Sequence, residues 1–157
     1  MDDSTIQNAF LSAFSQLMEN REEIIENLRM MQAALCDHTA LDEQCAALEI
    51  EMDQTAELAK QCLRQDLLGV NQTQYDRYAE RYDALQQQYE KLQAKRKERI
   101  TKEAAIGGFL FEILELEKLP IEFDEKLWNA TIDHVTVYGD DRLVFTFQCG
   151  AEIENNI

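Results

Sequence analysis

Three serines, four cysteines and two histidines are the side chains of this 157-residue chain best suited to nucleophilic, metal or acid–base chemistry. Ser4, Ser12 and Ser15 stand apart from any cluster of arginines of the kind that attack on a phosphate requires. Cys36, Cys45, Cys62 and Cys149 contain no CxxC pair. Cys36 with His38 could form half of a zinc site, but no second pair of ligands follows at motif spacing. The reading is therefore buried or half-buried thiols in a reducing compartment. His38 and His134 have no sequence partner that would make either a general base. The expectation is a chain that by itself catalyses nothing, holds no metal or cofactor and takes no small-molecule substrate.

With no chemistry to position, the residues point to a structural or binding role. Thirty-one acidic against 15 basic residues give a formal charge of −16. Such a field repels phosphate backbones and anionic membrane surfaces, which makes the chain taken alone a poor DNA-binding module. The start "MDDSTIQNAF" has no basic region before an apolar run, and no segment is long enough to span a bilayer. A soluble, cytoplasmic protein without membrane contact is expected.

Proline occurs once, at Pro120, and glycine only at Gly69, Gly107, Gly108, Gly139 and Gly150, which favours long helices. "STIQ" at Ser4 is a capping-box pattern and predicts a helix start. Ile6, Phe10, Ala13, Phe14, Leu17, Ile24, Leu28, Met31 and Leu35 follow at three- and four-residue steps and predict one apolar stripe on an N-terminal helix, residues 1–38. The segment "CDHTALDE" predicts a break, with Thr39 capping the next helix.

Leu41, Cys45, Leu48, Met52, Thr55, Ala59 and Cys62 then keep a strict heptad register. "LLGVNQTQY" interrupts it, and Tyr75, Tyr78, Tyr82, Leu85, Tyr89 and Leu92 begin a second. Two such segments joined by a few residues predict an antiparallel coiled-coil hairpin over 39–119 with its tip near 67–74. Each arm of about 28 residues at 1.5 Å rise would reach on the order of 40 Å. Tyrosines on one arm meet Thr55, Ala59 and Cys62 on the other, which favours pairing within the chain over a parallel homodimer. The basic run Lys91, Lys95, Arg96, Lys97, Arg99 and Lys102 lies opposite Glu43, Glu49 and Glu51 in this hairpin. It reads as a solvated or salt-bridging face rather than a phosphate contact.

The final segment, 120–157, predicts a short helix capped by Asp124 and a three-stranded meander. "HVTVYG" places Val135 and Val137 on one face and "RLVFTFQ" places Leu143, Phe145 and Phe147 on one face, joined by "GDD". "CG" at Cys149 and Gly150 forms a two-residue link to "AEIE". Phe123, Leu127 and Trp128 are expected to anchor this meander to the helix containing Phe109, Phe111 and Leu114. The fold class is mainly α: a long antiparallel coiled-coil hairpin, a flanking N-terminal helix and a small C-terminal antiparallel β-meander.

The stretch "FDEKLWNATIDHVTVYGDDRLVFTFQCGAEIE" resembles the closing segment of the large serine recombinases, of the resolvase/invertase superfamily. The resemblance extends through "NQTQYDRYAERYDALQQQYEKLQAKRKERI" and "FLSAFSQLMENREEIIENLR", nearly the whole chain. It implies a parent with a catalytic serine domain, a DNA-binding domain and a zinc ribbon carrying a coiled coil. This chain lacks those parts, so the resemblance is to a C-terminal piece. Zinc and DNA are expected only in the missing parts of the parent. The implied partners are other recombinase subunits, or self-association through the coiled coil, during synapsis and DNA integration.

At the tip, Leu67, Leu68, Val70 and Tyr75 are the candidate contact residues, with closure over the end of the seam as the competing reading. The alternative for the whole chain is an independent coiled-coil adaptor or prefoldin-like holdase. Against it, all the strands here follow the helices.

Overall fold

A computed structural model describes residues 2–65 and 72–157. Five helices and three strands follow in order: α1 (Asp3–Met18), α2 (Arg21–Cys36), α3 (Thr39–Gln65), α4 (Gln72–Glu115), α5 (Glu125–Thr131), β1 (Ile132–Tyr138), β2 (Arg142–Phe147) and β3 (Glu152–Asn156). The chain divides into two units, Met1–Cys36 with Thr101–Ile157, and Asp37–Ile100. Helix α4 contributes residues to both.

Helix α1 starts two residues earlier than "STIQ" suggests. Asp2 is the cap: its carboxylate accepts from the Thr5 amide at 2.9 Å and the Thr5 hydroxyl at 2.7 Å, and Ser4 donates its own hydroxyl to the same oxygen at 2.9 Å. An ionised carboxylate at the positive end of the helix outcompetes a neutral serine for those donors.

The single N-terminal helix expected over 1–38 is two helices. The amides of Glu19 and Asn20 turn to carbonyls three residues back, Gln16 and Leu17, both at 3.3 Å, and the α-helical ladder ends there. The Asn20 carbonyl then accepts from Ile24 at 3.0 Å and begins α2. Arg21, the first residue of α2, donates to the Ile113 and Leu116 carbonyls at 2.9 and 3.4 Å at the end of α4, where carbonyls lose their intrahelical partners. The break near Asp37 falls where the sequence places it, but Asp37 rather than Thr39 supplies the cap, accepting from the Thr39 amide at 3.1 Å.

In the first unit one core joins α1, α2, the end of α4, α5 and the sheet. Phe10, Phe14, Phe109, Phe145 and Phe147 are all buried within it. Phe10 meets Trp128 edge-on at 5.0 Å between ring centroids, and Trp128 meets Phe145 at 6.1 Å and 87°. Phe109 stacks on Phe147 at 6.5 Å. Leu127 is buried, and Phe123 and Trp128 pack against the core as expected.

Phe111 and Leu114 do not join them. They are 56% and 46% exposed, and Ile106, Leu110 and Ile113 take the inward positions with Phe109. The run "FLFEIL" is apolar around most of the helix, so its phase is set by which face meets the sheet. Two glycines stand side by side in this helix. A Cβ at Gly107 would lie 3.2 Å from Gln32 Nε2, so close approach of α2 accounts for it, whereas a Cβ at Gly108 would meet nothing within 4 Å. Each glycine costs about 0.5–1 kcal/mol relative to alanine in a helix interior.

The sheet is an antiparallel meander in the order β1-β2-β3. Leu143, Phe145 and Phe147 point inward and are fully buried, as the alternation requires. A register shift between Ile132 and His134 lets Ile132, opposite Phe147, and Val135, opposite Phe145, share the core face despite their odd spacing. Val137 pairs with Leu143 on that face but is 57% exposed at its end. Asn155 crosses to α1, donating to the Ala9 carbonyl at 2.6 Å.

Both hairpin loops are three residues long and end on a left-handed residue, Asp141 at φ 58° and Gly150 at φ 83°. The expected two-residue "CG" link is therefore Gln148, Cys149 and Gly150. It is closed by Gly150 to the Phe147 carbonyl at 2.8 Å and by the Phe147 amide to the Ala151 carbonyl at 2.9 Å.

Candidate interaction surface on the helical hairpin

The second unit pairs α3 with the first part of α4. Leu41, Cys45, Leu48, Met52, Thr55, Ala59 and Cys62 are all buried or half-buried, while most positions between them are exposed. On α4 the same holds for Tyr75, Tyr78, Tyr82, Leu85, Tyr89 and Leu92, with Leu85 only 7% exposed. The heptad register of both arms thus lines the seam. Thr55 is 3% exposed, and its hydroxyl is satisfied within its own helix by the Glu51 carbonyl at 2.8 Å.

Polar pairs along the flanks fix the antiparallel direction. Arg81 meets Glu51, the Tyr89 hydroxyl donates to Glu49 at 2.6 Å, Arg96 meets Asp42 at 2.9 Å, and Arg99 donates to the Asp37 carbonyl at 2.9 Å. Rising numbers on α4 pair with falling numbers before and along α3. From the basic run, Arg96 and Arg99 make such contacts, though with Asp42 and Asp37 rather than the expected Glu43. The Glu49 carboxylate beside Tyr89 pushes its phenol above the usual range, because the hydrogen bond favours the neutral hydroxyl.

Toward the ends of the two arms the seam opens into a groove of about 270 Å³ lined by Ala59, Lys60, Leu63, Tyr75, Tyr78 and Tyr82. Tyrosine rings face alanines here, the large-against-small match that the sequence suggests. Leu63 is 58% exposed and Leu58 43% exposed. Of the four candidate contact residues, Tyr75 is half-buried in this groove. Leu67, Leu68 and Val70 lie outside the described residues. Leu63 was missed by the heptad reading because it sits one residue past the seam position Cys62. An apolar residue flanking the last core position before a tip is the signal that marks it.

The chemically capable side chains are not gathered. Ser4 is engaged in the α1 cap, and His134 contacts its neighbour Asp133 at 2.8 Å on an exposed strand. Cys45 is buried in the seam, Cys36 is exposed, and burial pushes the Cys149 thiol up. Among the described residues no group of three or more His, Cys, Asp or Glu side chains is arranged to hold a metal ion. No helix among them is long and apolar enough to cross a membrane. Compared with protein-family models, curated proteins and solved structures, the chain matches none.

Proposed function

We propose that this chain is the non-catalytic C-terminal coiled-coil module of a site-specific serine recombinase, whose hairpin meets other recombinase subunits during synapsis and DNA integration. The observation that carries the contact role is the end of the hairpin. The seam and the flanking polar pairs occupy the two arms with each other, yet Leu63 stays exposed beside Tyr75. In the sequence, Leu67, Leu68 and Val70 lie between these two residues. An apolar surface of this kind suits a protein partner, and a charge of −16 disfavours lying along DNA. In this reading catalysis, zinc binding and DNA contact belong to the parent's other domains.

The recombinase assignment rests on the sequence resemblance, which the form of the C-terminal segment supports: a capped helix, an inward-facing "FTF" strand and a glycine turn. Coding sequence directly upstream decides it. A continuous reading frame encoding a CxxC zinc ribbon and a serine catalytic domain is expected, and an in-frame stop with neither domain nearby removes the assignment. The exposed Leu58 and Leu63 would equally serve a holdase-like adaptor. That reading predicts suppression of aggregation of an unfolded client, which a recombinase contact arm does not require.

A further inference from the structure

Between α4 and α5 runs a groove of about 760 Å³, with Gly108 and Phe111 on one wall and Asn129 and Ala130 on the other. Phe111 is 56% exposed, and a Cβ at Gly108 would meet nothing within 4 Å. Phe111, Gly108 and Ala130 make the groove largely apolar. It also holds the carboxylate of Glu112, on a side chain only 14% exposed. A carboxylate drawn this far out of water calls for a cationic partner.

The chain supplies one from its own surface. Lys126 Nζ lies 2.9 Å from Glu112 Oε1 and 5.9 Å from the centre of the Phe111 ring. The groove therefore already holds a cation against a ring face and a carboxylate, and that arrangement states the chemistry it recognises. The fit is incomplete. The Lys126 side chain remains 72% exposed, and the space beside Gly108 stays open with the ammonium in place. An ion pair this accessible to water is weak and yields to a cation that fits better. The hydrogen bond to Glu112, with the fields of Glu112, Asp124 and Glu115, pushes the Lys126 ammonium above the usual lysine range. The potential at this point is negative, as an incoming cation requires.

We propose that this groove docks an arginine side chain of a protein partner, which displaces Lys126 from Glu112 and lays its guanidinium on Phe111. A guanidinium is planar, so it can stack on the ring while two of its N–H groups meet the carboxylate, which an ammonium cannot do. Gly108 gains a reason in this arrangement, since any side chain there would intrude on the space the arginine enters. The charge of −16 favours a basic segment as the partner. The site is separate from the hairpin end and does not rest on the function proposed for it.

Titrating the full chain with acetyl-Leu-Arg-Leu-amide, followed by nuclear magnetic resonance at the amides of Gly108, Phe111, Asn129 and Ala130, tests it. Saturable shifts at these amides are expected, and none with a peptide carrying citrulline, the neutral counterpart of arginine. Glu112→Gln weakens binding by about tenfold or more, and Phe111→Leu by about threefold. Lys126→Ala removes the competing ammonium and tightens binding by about two- to fivefold. Asp53→Asn, which removes an exposed carboxylate from the hairpin unit, leaves the affinity unchanged and so separates the groove from general attraction to an acidic chain. Spectra of the unliganded variants show that each keeps the fold. Absence of saturable shifts overturns the proposal, as do equal binding of the citrulline peptide, equal weakening by Glu112→Gln and Asp53→Asn, or weaker binding by Lys126→Ala.

Discussion

Replacing Phe145 with alanine tests whether the aromatic cluster holds the sheet to the helices. Phe145 is fully buried at the centre of the three strands, with Phe10 at 6.3 Å and Trp128 at 6.1 Å between ring centroids. Burying a phenylalanine removes about 150–250 Å² from water, which at about 25 cal/mol per Å² corresponds to roughly 4–6 kcal/mol. Alanine keeps the first carbon, and the surroundings relax partly into the cavity, so phenylalanine-to-alanine changes in cores cost about 3–5 kcal/mol. The loss expected here is about 4 kcal/mol. Trp128 is the only tryptophan in the chain and touches Phe145, so its fluorescence reports on this unit during urea unfolding. At a slope of about 2 kcal/mol per molar urea, the midpoint falls by about 2 M. Phe145→Leu, which keeps most of the volume, is expected to cost no more than about 1.5 kcal/mol. A Phe145→Ala midpoint within about 0.5 M of wild type would refute the packing argument.

Other expectations follow from single contacts. Thr55→Val removes a hydroxyl bonded only within its own helix, in an apolar seam, and should leave the hairpin's thermal midpoint unchanged or higher; a marked fall would mean the hydroxyl holds the two helices together. Gly150→Ala meets no atoms but forces alanine to φ 83°, for a cost of about 1–2 kcal/mol in urea unfolding. The hydrogen bonds that hold Asp2 ionised lower its pKa from 3.8 to about 2, so its contribution is complete above pH 3.8 and is lost as pH falls through about 2. Protection of the Thr5 amide from exchange, taken relative to its intrinsic rate at each pH, should fall across that window in wild type, and Asp2→Ala should show no such step. Tyr89 runs the other way: its raised pKa means the bond to Glu49 is intact below the ordinary tyrosine value and is lost as pH rises through the raised one. In a phenolate absorbance titration an ionisation above the ordinary tyrosine value is expected, and it should disappear in Tyr89→Phe.

The hairpin was legible because a heptad repeat states both the helix and its buried face, and each arm's core residues come at fixed steps from Leu41 and Tyr75. Its partner pairing was legible in outline from size matching, tyrosines against Ala59. The strands were legible because alternation in "RLVFTF" has one reading. What was not legible depends on contacts distant in sequence. Nothing around Glu19 and Asn20 breaks a helix strongly, and the break is fixed by Arg21 reaching the end of α4. The phase of "FLFEIL" could be set only by knowing which side meets Phe147. The choice of Asp2 over Ser4 as cap turned on a charge-assisted bond to Thr5, two positions before the motif that drew attention. For the candidate site, Tyr75 and its groove lie in the described hairpin, while Leu63 was hidden by its place just off the seam.

The claim that the end of the hairpin is a protein contact is tested most directly by sedimentation of the full chain. That protein is expected to self-associate as its concentration rises, and adding Leu68→Asp and Val70→Asp should leave a monomer with the same helical content. Equal behaviour with and without the tip substitutions, whether both monomeric or both associated, would contradict the account.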